Sequence, residues 1–204
     1  QKSIEDLKQI VNKMPDDEIK NILKKYTGVR KNRRHKPGRA FENSYYTFDI
    51  LSDYGSFRDL QRHRLMTIEW QKMNPELGFN FPDEVKKTPY EKECKELITK
   101  SKELYEKFEI SSPHLKEYAL LFGHNIRYSI TMNVRQAFHL IELRTAKQGH
   151  ISYRKVCMKM HDQIKDIAGH SNFYELMNFT DHEEYELQRL DSEVKQAKKK
   201  ENLN

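Results

Sequence analysis

The sequence predicts an α/β (α+β) protein in which a small sheet is flanked by long helices. Residues 44–51 and 125–132 alternate apolar and polar side chains, a period typical of strands that bury one face. Residues 91–108 instead place apolar side chains three and four positions apart, which indicates an amphipathic helix. A chain of 204 residues suffices for one domain or one and a half.

The chain opens with a predicted helical hairpin, residues 1–28. Ser3 followed by Asp6 resembles a capping box at the start of the first helix. Pro15 and a pair of aspartates begin a second helix, which Gly28 ends. We expect this hairpin to pack as an appendage on a main domain of residues 29–180, followed by a charged C-terminal helix and tail of residues 181–204.

Residues 30–39 form a strongly basic loop. They include seven basic residues when His35 is counted, and Pro37-Gly38 predicts a turn. Such a run is usually a solvated loop. The functional alternative is contact with phosphate, because arginine offers forked donors that suit phosphate oxygens.

The predicted strand 44–51 leads into a helix that Asp53 would cap. We expect this helix to continue through Arg62-His63-Arg64, and residues 67–71 to form a short strand. The apolar face of the first strand carries Tyr46, Phe48 and Ile50.

Two helices are predicted before the next strand. Thr88-Pro89 with Glu91 is a strong helix start, and Ser112-Pro113 begins a second helix that Gly123 stops. We interpret the apolar stripe of the first helix as core. The stripe consists of Cys94, Leu97, Ile98, Ser101, Leu104, Tyr105 and Phe108.

Arg144 is the anomaly of the helix predicted after strand 125–132. Asn133 would cap this helix, and Arg135, His139 and Glu142 share its polar side, but Arg144 falls on the apolar side. Burying a lone arginine is costly. Either the side chain reaches solvent or pairs with a carboxylate, which spacing alone favours, or it faces an anionic ligand. Further helices are predicted over residues 152–167 and around residues 173–177.

Composition restricts the class of protein. The net charge of +6 and pI of about 9.1 suit an anionic ligand such as a nucleotide or nucleic acid, although a solvated basic face explains them equally well. Cys94 and Cys157 lack metal-binding spacing, so we expect neither a disulfide scaffold nor a zinc site, and no Cys/His metal pattern is apparent in the sequence. This cysteine usage fits a reducing, cytoplasmic compartment. No apolar run approaches membrane-spanning length. Because the chain starts at Gln1, we expect a processed product or a piece of a longer polypeptide.

Two motifs resemble the flavin-dependent thymidylate synthases. Arg62-His63-Arg64 is similar to the opening of a longer family motif, and Asn133-x-Arg135 running to Leu143-Arg144 is similar to a family helix. His35-Lys36-Pro37 and Phe41-Glu42 are also similar, though less closely, to a loop of the family. The resemblance covers roughly residues 33–165.

The resemblance implies an α/β homotetramer, with sites between subunits, that methylates dUMP to dTMP. Methylenetetrahydrofolate would supply the carbon and reduced FAD the hydride, with NADPH reducing the flavin and no protein nucleophile required. Arg144 would hold the dUMP pyrimidine. The residues implied to contact FAD are Arg62, His63, Arg64, Asn133, Arg135 and His139.

The sequence departs from the family in the half of the motif that binds substrate. The family continues Arg-His-Arg with x-x-Ser-x-Asn-Glu-x-Ser-x-Arg, and a further family arginine aligns with Glu117 here. The places of the family's conserved polar residues hold Thr67, Glu69, Trp70, Lys72 and Asn74.

Three hypotheses follow. The first is a divergent but authentic enzyme, and the second is a degenerate copy of the fold that serves as a partner or as one half of a tandem protein. The third is a nucleic-acid-binding module that uses residues 30–39 and the lysine-rich tail. It ranks last, because aromatic residues are sparse in the basic run.

Overall fold

A three-stranded antiparallel sheet with strand order β1-β3-β2 lies at the centre of the molecule, which is described here by a computed structural model. The structure describes residues 1–185, together with Val194 and Lys198. The helices and strands, in chain order, are α1 (Ile4–Val11), α2 (Asp16–Thr27), β1 (Tyr45–Asp53), α3 (Tyr54–Leu60), β2 (Thr67–Trp70), α4 (Asp83–Lys86), α5 (Glu91–Ser111), β3 (Asn125–Asn133), α6 (Val134–Arg144), α7 (Ile151–Asp166) and α8 (Ser171–Leu176).

The alternation of β1 and β3 decides which face of the sheet is buried. The two strands pair along their full length, from Tyr45 opposite Asn133 to Asp53 opposite Asn125. The predicted apolar faces are confirmed, because every one of their members is buried. Full burial of a large apolar side chain contributes roughly 1.5–3 kcal/mol. The members are Tyr46, Phe48, Ile50, Ile126, Tyr128, Ile130 and Met132.

Helices α3, α6 and α7 pack on the buried face of the sheet. Ala137, Leu140 and Ile141 of α6 have no exposed surface, which fixes this helix against the sheet. The opposite face of the sheet is polar. There Thr47 and Thr131 are joined by a 2.9 Å hydrogen bond, and Arg127 Nε donates to Asp49 at 3.1 Å.

The predicted helix caps at Asp53 and Asn133 are confirmed. Asp53 accepts a hydrogen bond from the Ser56 backbone N–H at 2.8 Å, and Asn133 accepts one from Gln136 at the same distance. Each cap satisfies a backbone donor that the first helical turn leaves unpaired. Both helices therefore begin directly where a strand ends, which brings the ends of β1 and β3 close to α3 and α6.

The N-terminal hairpin is confirmed as two helices, α1 and α2. The capping box at Ser3 and Asp6 is present, and α1 buries none of its residues. Helix α2 contacts α8 through an ion pair between Lys20 and Glu175 at 2.7 Å. The division of the chain at residue 28 stays a prediction.

The prediction that the helix after β1 continues through Arg62-His63-Arg64 is wrong. Helix α3 ends at Leu60, and the Gln61 N–H bonds to the Phe57 carbonyl as the C-cap. The His63 N–H then bonds to the Leu60 carbonyl at 3.1 Å, which closes a turn that redirects the chain into β2. The three basic residues therefore lie on a turn rather than on a helix.

Two predictions about the segment between β2 and β3 are also wrong in part. Helix α5 begins at Glu91 with no side-chain cap, and its apolar stripe is only partly core, because Leu97 and Leu104 are 53% and 43% exposed. In place of a helix from Ser112, only a short 3₁₀ turn forms over Lys116–Ala119. A segment that exposes 85% of Tyr118 buries too little apolar surface to sustain a longer helix.

The charged C-terminal helix predicted from Asp181 lies almost entirely outside the described residues. Residues 181–185 are described and have no regular secondary structure. Within the described part of the chain, no helix combines the length and the apolar character needed to cross a bilayer.

Candidate functional site

A basic groove of about 540 Å³ opens beside the start of α6. It is bounded by the loop before β1, the turn after α3, and the polar side of β3. Its cations come from three separate stretches of chain, so only the folded protein assembles them. The lining residues are Lys36, Arg39, Glu42, Tyr45, Arg64, Leu65, Met66, Thr67, Thr131, Met132, Asn133, Arg135, Gln136 and His139.

The fold brings most of the predicted site residues together. Arg64, Asn133, Arg135 and His139 line the basic groove. His63 lies next to them, with its ring centroid 6.0 Å from that of His139. The remaining two behave differently: Arg144 contacts His63 directly, whereas Arg62 pairs with Asp59 and is absent from the groove lining.

Arg135 is tied into the wall of the groove. Its Nε donates to the Pro37 carbonyl at 2.9 Å, and its Nη1 donates to Glu42 at 3.0 Å. Arg39 also pairs with Glu42 at 3.1 Å, and this hydrogen bond is the main cause that lowers the pKa of the Glu42 carboxyl. Two arginines thus share one carboxylate, which leaves an excess of positive charge at this wall.

Arg64 and Lys36 supply the available charge of the groove. Both side chains are exposed, and neither forms an ion pair within the described residues. An exposed guanidinium with unoccupied donors suits a ligand with phosphate or carboxylate oxygens.

His63 holds Arg144 as a neutral acceptor. Arg144 Nε donates to His63 Nε2 at 2.8 Å, so this ring nitrogen carries a lone pair and the ring proton is on Nδ1. Burial, and then the charge of Arg144, lowers the pKa of His63 to about 4. His63 therefore orients the guanidinium without neutralising it.

The other contacts of Arg144 leave it only partly neutralised. Its Nη2 donates to the Asp59 carbonyl at 2.6 Å, and its Nη1 lies 3.8 Å from the Asp59 carboxylate, which Arg62 also contacts. The guanidinium packs over the ring of Tyr153 at 5.3 Å, and the side chain is 15% exposed. Of the two interpretations of Arg144, the carboxylate pairing is present, but the pair is loose and shared.

His139 extends the neutral part of the site. Burial, and then the charges of Lys36 and Arg33, lowers its pKa. The ring of His139 lies 6.0 Å from that of His63, which itself contacts Arg144. This arrangement avoids a further positive charge where several arginines already lie close together.

One buried ion pair was missed by the sequence analysis. Arg30 makes a two-pronged contact with Glu142, with Nη1 2.7 Å from Oε1, and the two side chains are 3% and 0% exposed. Arg30 Nε also donates to the His35 carbonyl at 2.6 Å. The phosphate-contact interpretation of the basic loop is therefore wrong for Arg30. Glu142, which the sequence places on the polar side of the helix with Arg135 and His139, is buried.

Two of the residues that depart from the family pattern, Glu117 and Asn74, have structural contacts here. Glu117 accepts a hydrogen bond from the Met73 N–H at 3.1 Å, and Asn74 accepts one from the Glu76 N–H at 2.9 Å. Both side chains stabilise the loop after β2. Neither offers a cation to a phosphate group.

The fold and the groove define an α+β protein with a cationic, nucleotide-sized site at the end of a small antiparallel sheet. Residues 2–169 match the family model described as thymidylate synthase complementing protein, and the chain belongs to this family.

Two relatives of known sequence align with more than nine tenths of this chain. It is 36% identical over 188 residues to the UPF0159 protein of Chlamydia muridarum, covering 92% of this chain and 35% of the relative. It is 33% identical over 187 residues to the UPF0159 protein of Thermoplasma acidophilum, covering 91% and 37%. The chain thus spans about a third of the length of these curated relatives. A flavin-dependent thymidylate synthase of Thermococcus onnurineus is 32% identical over 117 residues, covering 52% of this chain and 47% of that protein.

The fold matches a solved structure, thymidylate synthase X of Helicobacter pylori with FAD and dUMP. The TM-score is 0.60 at 16% identity, covering 85% of this chain and 90% of that one. The predicted fold class is thereby confirmed.

Proposed function

We propose that this chain binds FAD in the basic groove and belongs to a protein that methylates dUMP to dTMP, with methylenetetrahydrofolate as carbon donor and NADPH as reductant of the flavin. The observation that carries the proposal is the convergence of Arg64, Asn133, Arg135 and His139 on one groove from separate parts of the chain. These residues belong to the two motifs that resemble the family, and the family match supports their role.

The groove fits the chemical demands of a flavin dinucleotide. Arg64 and Lys36, which have no ion-pair partner among residues 1–185, offer their charge to the diphosphate, and Arg135 is held rigidly by its two protein contacts. Asn133 uses its side-chain oxygen as a helix cap, which leaves its amide N–H groups for a ligand. Bound FAD would supply the hydride, while the surrounding cations would favour its reduced, anionic form.

Arg144 is the residue we assign to the pyrimidine of dUMP. Its Nε and Nη2 are fixed by His63 and Asp59, so its orientation is set before ligand arrives. A guanidinium fixed in a largely buried site stabilises a ring that develops negative charge, and it does so without reorganising. The neutral form of His63 does not offset the charge of Arg144, which Asp59 neutralises only in part.

The dUMP phosphate requires cations that this chain lacks at the expected positions. Glu117 stands where the family has an arginine, and a carboxylate there would repel a phosphate. We propose that the missing cations come from a second subunit of a homo-oligomer, a tetramer by resemblance, or from a homologous domain. The alternative, a degenerate copy that completes a neighbour's site without turnover of its own, is favoured by the same observation.

A visible absorption spectrum of the purified chain, before and after addition of FAD, tests the cofactor assignment. We expect the chain to show the spectrum of bound flavin. We expect the affinity for FAD to fall about tenfold or more in Arg64→Ala, since a charge-assisted hydrogen bond contributes about 1.5–3 kcal/mol. Arg34→Ala is the matched control, because Arg34 is an exposed arginine of the basic loop before β1 and does not line the groove. A folded chain that takes up no flavin would refute the proposal.

Addition of dUMP then separates the two versions of the proposal. A spectral shift on addition of dUMP, followed by turnover with methylenetetrahydrofolate and NADPH, indicates a working enzyme. Flavin binding without any response to dUMP indicates the degenerate copy. Equal loss of FAD binding in Arg34→Ala and Arg64→Ala would show that general basicity, and not the groove, attracts the cofactor.

A further inference from the structure

Helix α7 and the segment after α8 bring together two histidines and an aspartate away from the basic groove. One ligand atom from each of His161, Asp162 and His182 lies within 4.8 Å of the other two. None of the three lines the groove. The proposed FAD and dUMP sites use none of these three residues.

His161 is prepared to act as a ligand through one defined nitrogen. Its Nε2 lies 3.0 Å from the Tyr174 carbonyl oxygen, which can only accept, so the ring proton is on Nε2. Its Nδ1 therefore carries a lone pair, and it faces His182 Nε2 at 2.8 Å. A histidine that donates its second N–H to a backbone carbonyl has the arrangement that metal-ligating histidines almost always show.

The surroundings of His161 fix its ring. The side chain is nearly fully buried, and Tyr174 stacks on it with ring centroids 4.0 Å apart and an interplanar angle of 16°. The lone pair of Nδ1 thus points in one direction, toward the surface segment that carries His182. A ligand fixed in this way loses little conformational entropy on binding a metal.

His182 and Asp162 provide the adaptable half of the cluster. Their side chains are 36% and 47% exposed, and the Asp162 carboxylate lies 3.9 Å from His182 Nδ1, the ring nitrogen that does not face His161. The candidate ligand atoms of the three residues lie within 4.8 Å of one another. Zinc binds nitrogen and oxygen ligands at about 2.0–2.2 Å, which places the ligands of a tetrahedral site roughly 3.3–3.5 Å apart. The imidazole and the carboxylate would each move by about an ångström, and their exposure permits this.

We propose that His161, Asp162 and His182 bind a divalent first-row transition metal, of which Zn²⁺ is the best candidate. Two imidazole nitrogens and one carboxylate oxygen suit zinc rather than Mg²⁺ or Ca²⁺, which prefer all-oxygen sites. Water would complete the tetrahedron. On binding, the proton between the two histidines leaves His182 Nε2, either for its Nδ1 beside Asp162 or for solvent.

The site would fasten the chain after α8 to α7. The same segment is already held by Arg154, which donates to the Glu183 carbonyl at 2.8 Å, and by Lys155, which pairs with Glu184 at 3.3 Å. A metal adds a cross-link between residues that are 21 positions apart in sequence. Because the metal binds the folded chain and not the unfolded one, it raises the unfolding temperature as its concentration rises.

Zinc titration of the metal-stripped chain, followed by calorimetry and by thermal unfolding, tests the proposal. We expect uptake of one Zn²⁺ per chain and a higher unfolding temperature. His182→Gln and Asp162→Asn should each lower the affinity at least about tenfold, a typical cost of losing a metal ligand or its partner. Both positions are partly exposed, so both variants should fold. Cobalt substitution should give the intense visible absorption of a tetrahedral site.

The matched control is His114→Gln, because His114 is an exposed histidine on the loop after α5. It should bind zinc as the unaltered chain does. Absence of saturable zinc binding, or equal affinity in the control and in both ligand variants, would overturn the proposal and leave the two rings as a hydrogen-bonded contact only. The flavin spectrum should be the same in all these variants, so failure here is distinct from failure at the groove.

Discussion

Two arginines at the C-terminal end of α6 differ in how their charge is neutralised. Arg30 pairs with Glu142 of this helix, whereas Arg144 is the last residue of the helix. Arg30 is buried, and its Nη1 and Nη2 both donate to the buried carboxylate of Glu142. Arg144 is largely buried too, but its nearest acceptors are a neutral imidazole and a backbone carbonyl. Among the residues that the structure describes, its one carboxylate partner is Asp59, which lies 3.8 Å away and is shared with Arg62.

The difference separates an arginine whose charge is matched within the protein from one whose charge is matched only in part, which we propose serves a ligand. A buried charge must be neutralised and fully hydrogen-bonded, and Arg30 meets both conditions within the protein. Arg144 meets each condition only in part, because its Nε and Nη2 are hydrogen-bonded whereas its Nη1 lies 3.8 Å from the Asp59 carboxylate. Partial neutralisation is costly for a purely structural residue, so the position favours a ligand that supplies the missing negative charge.

Glu142→Gln should have the largest effect on stability. It leaves Arg30 buried without a counter-charge, and we expect the free energy of unfolding to fall by about 3–5 kcal/mol. Denaturant unfolding measures the loss. The control Glu109→Gln alters an exposed pair with Lys116 and should leave stability unchanged.

A paired replacement, Arg30→Met with Glu142→Leu, sharpens the test of the buried pair. Because it removes both charges, it should cost less than Glu142→Gln alone. If the single substitution costs no more than the Glu109 control, the ion pair does not stabilise the fold as argued.

Arg144→Ala should have a smaller effect on stability than Glu142→Gln and a large effect on binding. We expect dUMP affinity to fall about ten- to hundredfold, since a hydrogen bond to a charged group contributes about 1.5–3 kcal/mol. Arg144→Lys should lie between the two, because lysine lacks the planar fork. Arg127→Ala, on the polar face of the sheet, is the control in an equilibrium binding titration. Unchanged affinity in Arg144→Ala would remove Arg144 from the nucleotide site.

Acidification should weaken the contact between His63 and Arg144. The pKa of His63 is lowered from 6.5 to about 4 in the folded chain, so the unfolded chain takes up the proton first. The stability that this contact contributes is present above pH 6.5 and is lost as the pH falls toward 4. Other histidines contribute in the same direction, so the informative quantity is the difference between the unaltered chain and His63→Gln.

That difference in the free energy of unfolding should shrink as the pH is lowered from 7 through this window, because glutamine has no titrating group. Thermal unfolding at several pH values measures it. A constant difference would mean that His63 does not accept from Arg144 as a neutral ring.

Asp49→Asn should have the smallest effect. Asp49 pairs with Arg127 on the exposed face of the sheet, and the hydrogen bond from Arg127 lowers the pKa of the Asp49 carboxyl. Exposed pairs contribute little, so we expect no measurable change in the unfolding midpoint. A clear loss of stability would indicate that this sheet face is covered by another part of the protein or by a second copy.

The strands and caps could be predicted because their signals are local. The alternation of β1 and β3 and the caps at Asp53 and Asn133 depend on residues within a few positions of each other. The burial of Glu142 could not be predicted in this way, since its partner Arg30 lies 112 positions upstream. A helical wheel records the polarity of Glu142 but carries no information about what packs against it.

The turn at Arg62-His63-Arg64 shows a second limit of sequence patterns. Phe57 and Leu60 follow a helical period that a wheel extends to Arg64, but α3 ends at Leu60. The requirement that β2 pair with β3, from Thr67 opposite Thr131, leaves too little chain for another helical turn. Tertiary pairing therefore decides the helix end and places His63 against Arg144.

The shared position of Asp59 has a consequence for how tightly a ligand can bind. Its carboxylate already contacts Arg62 while it lies near Arg144. When an anion binds Arg144, Asp59 remains paired with Arg62, so the number of paired charges does not fall. An anion that binds Arg144 therefore replaces Asp59 as its counter-charge, while Asp59 remains paired with Arg62. No charged group is left without a partner.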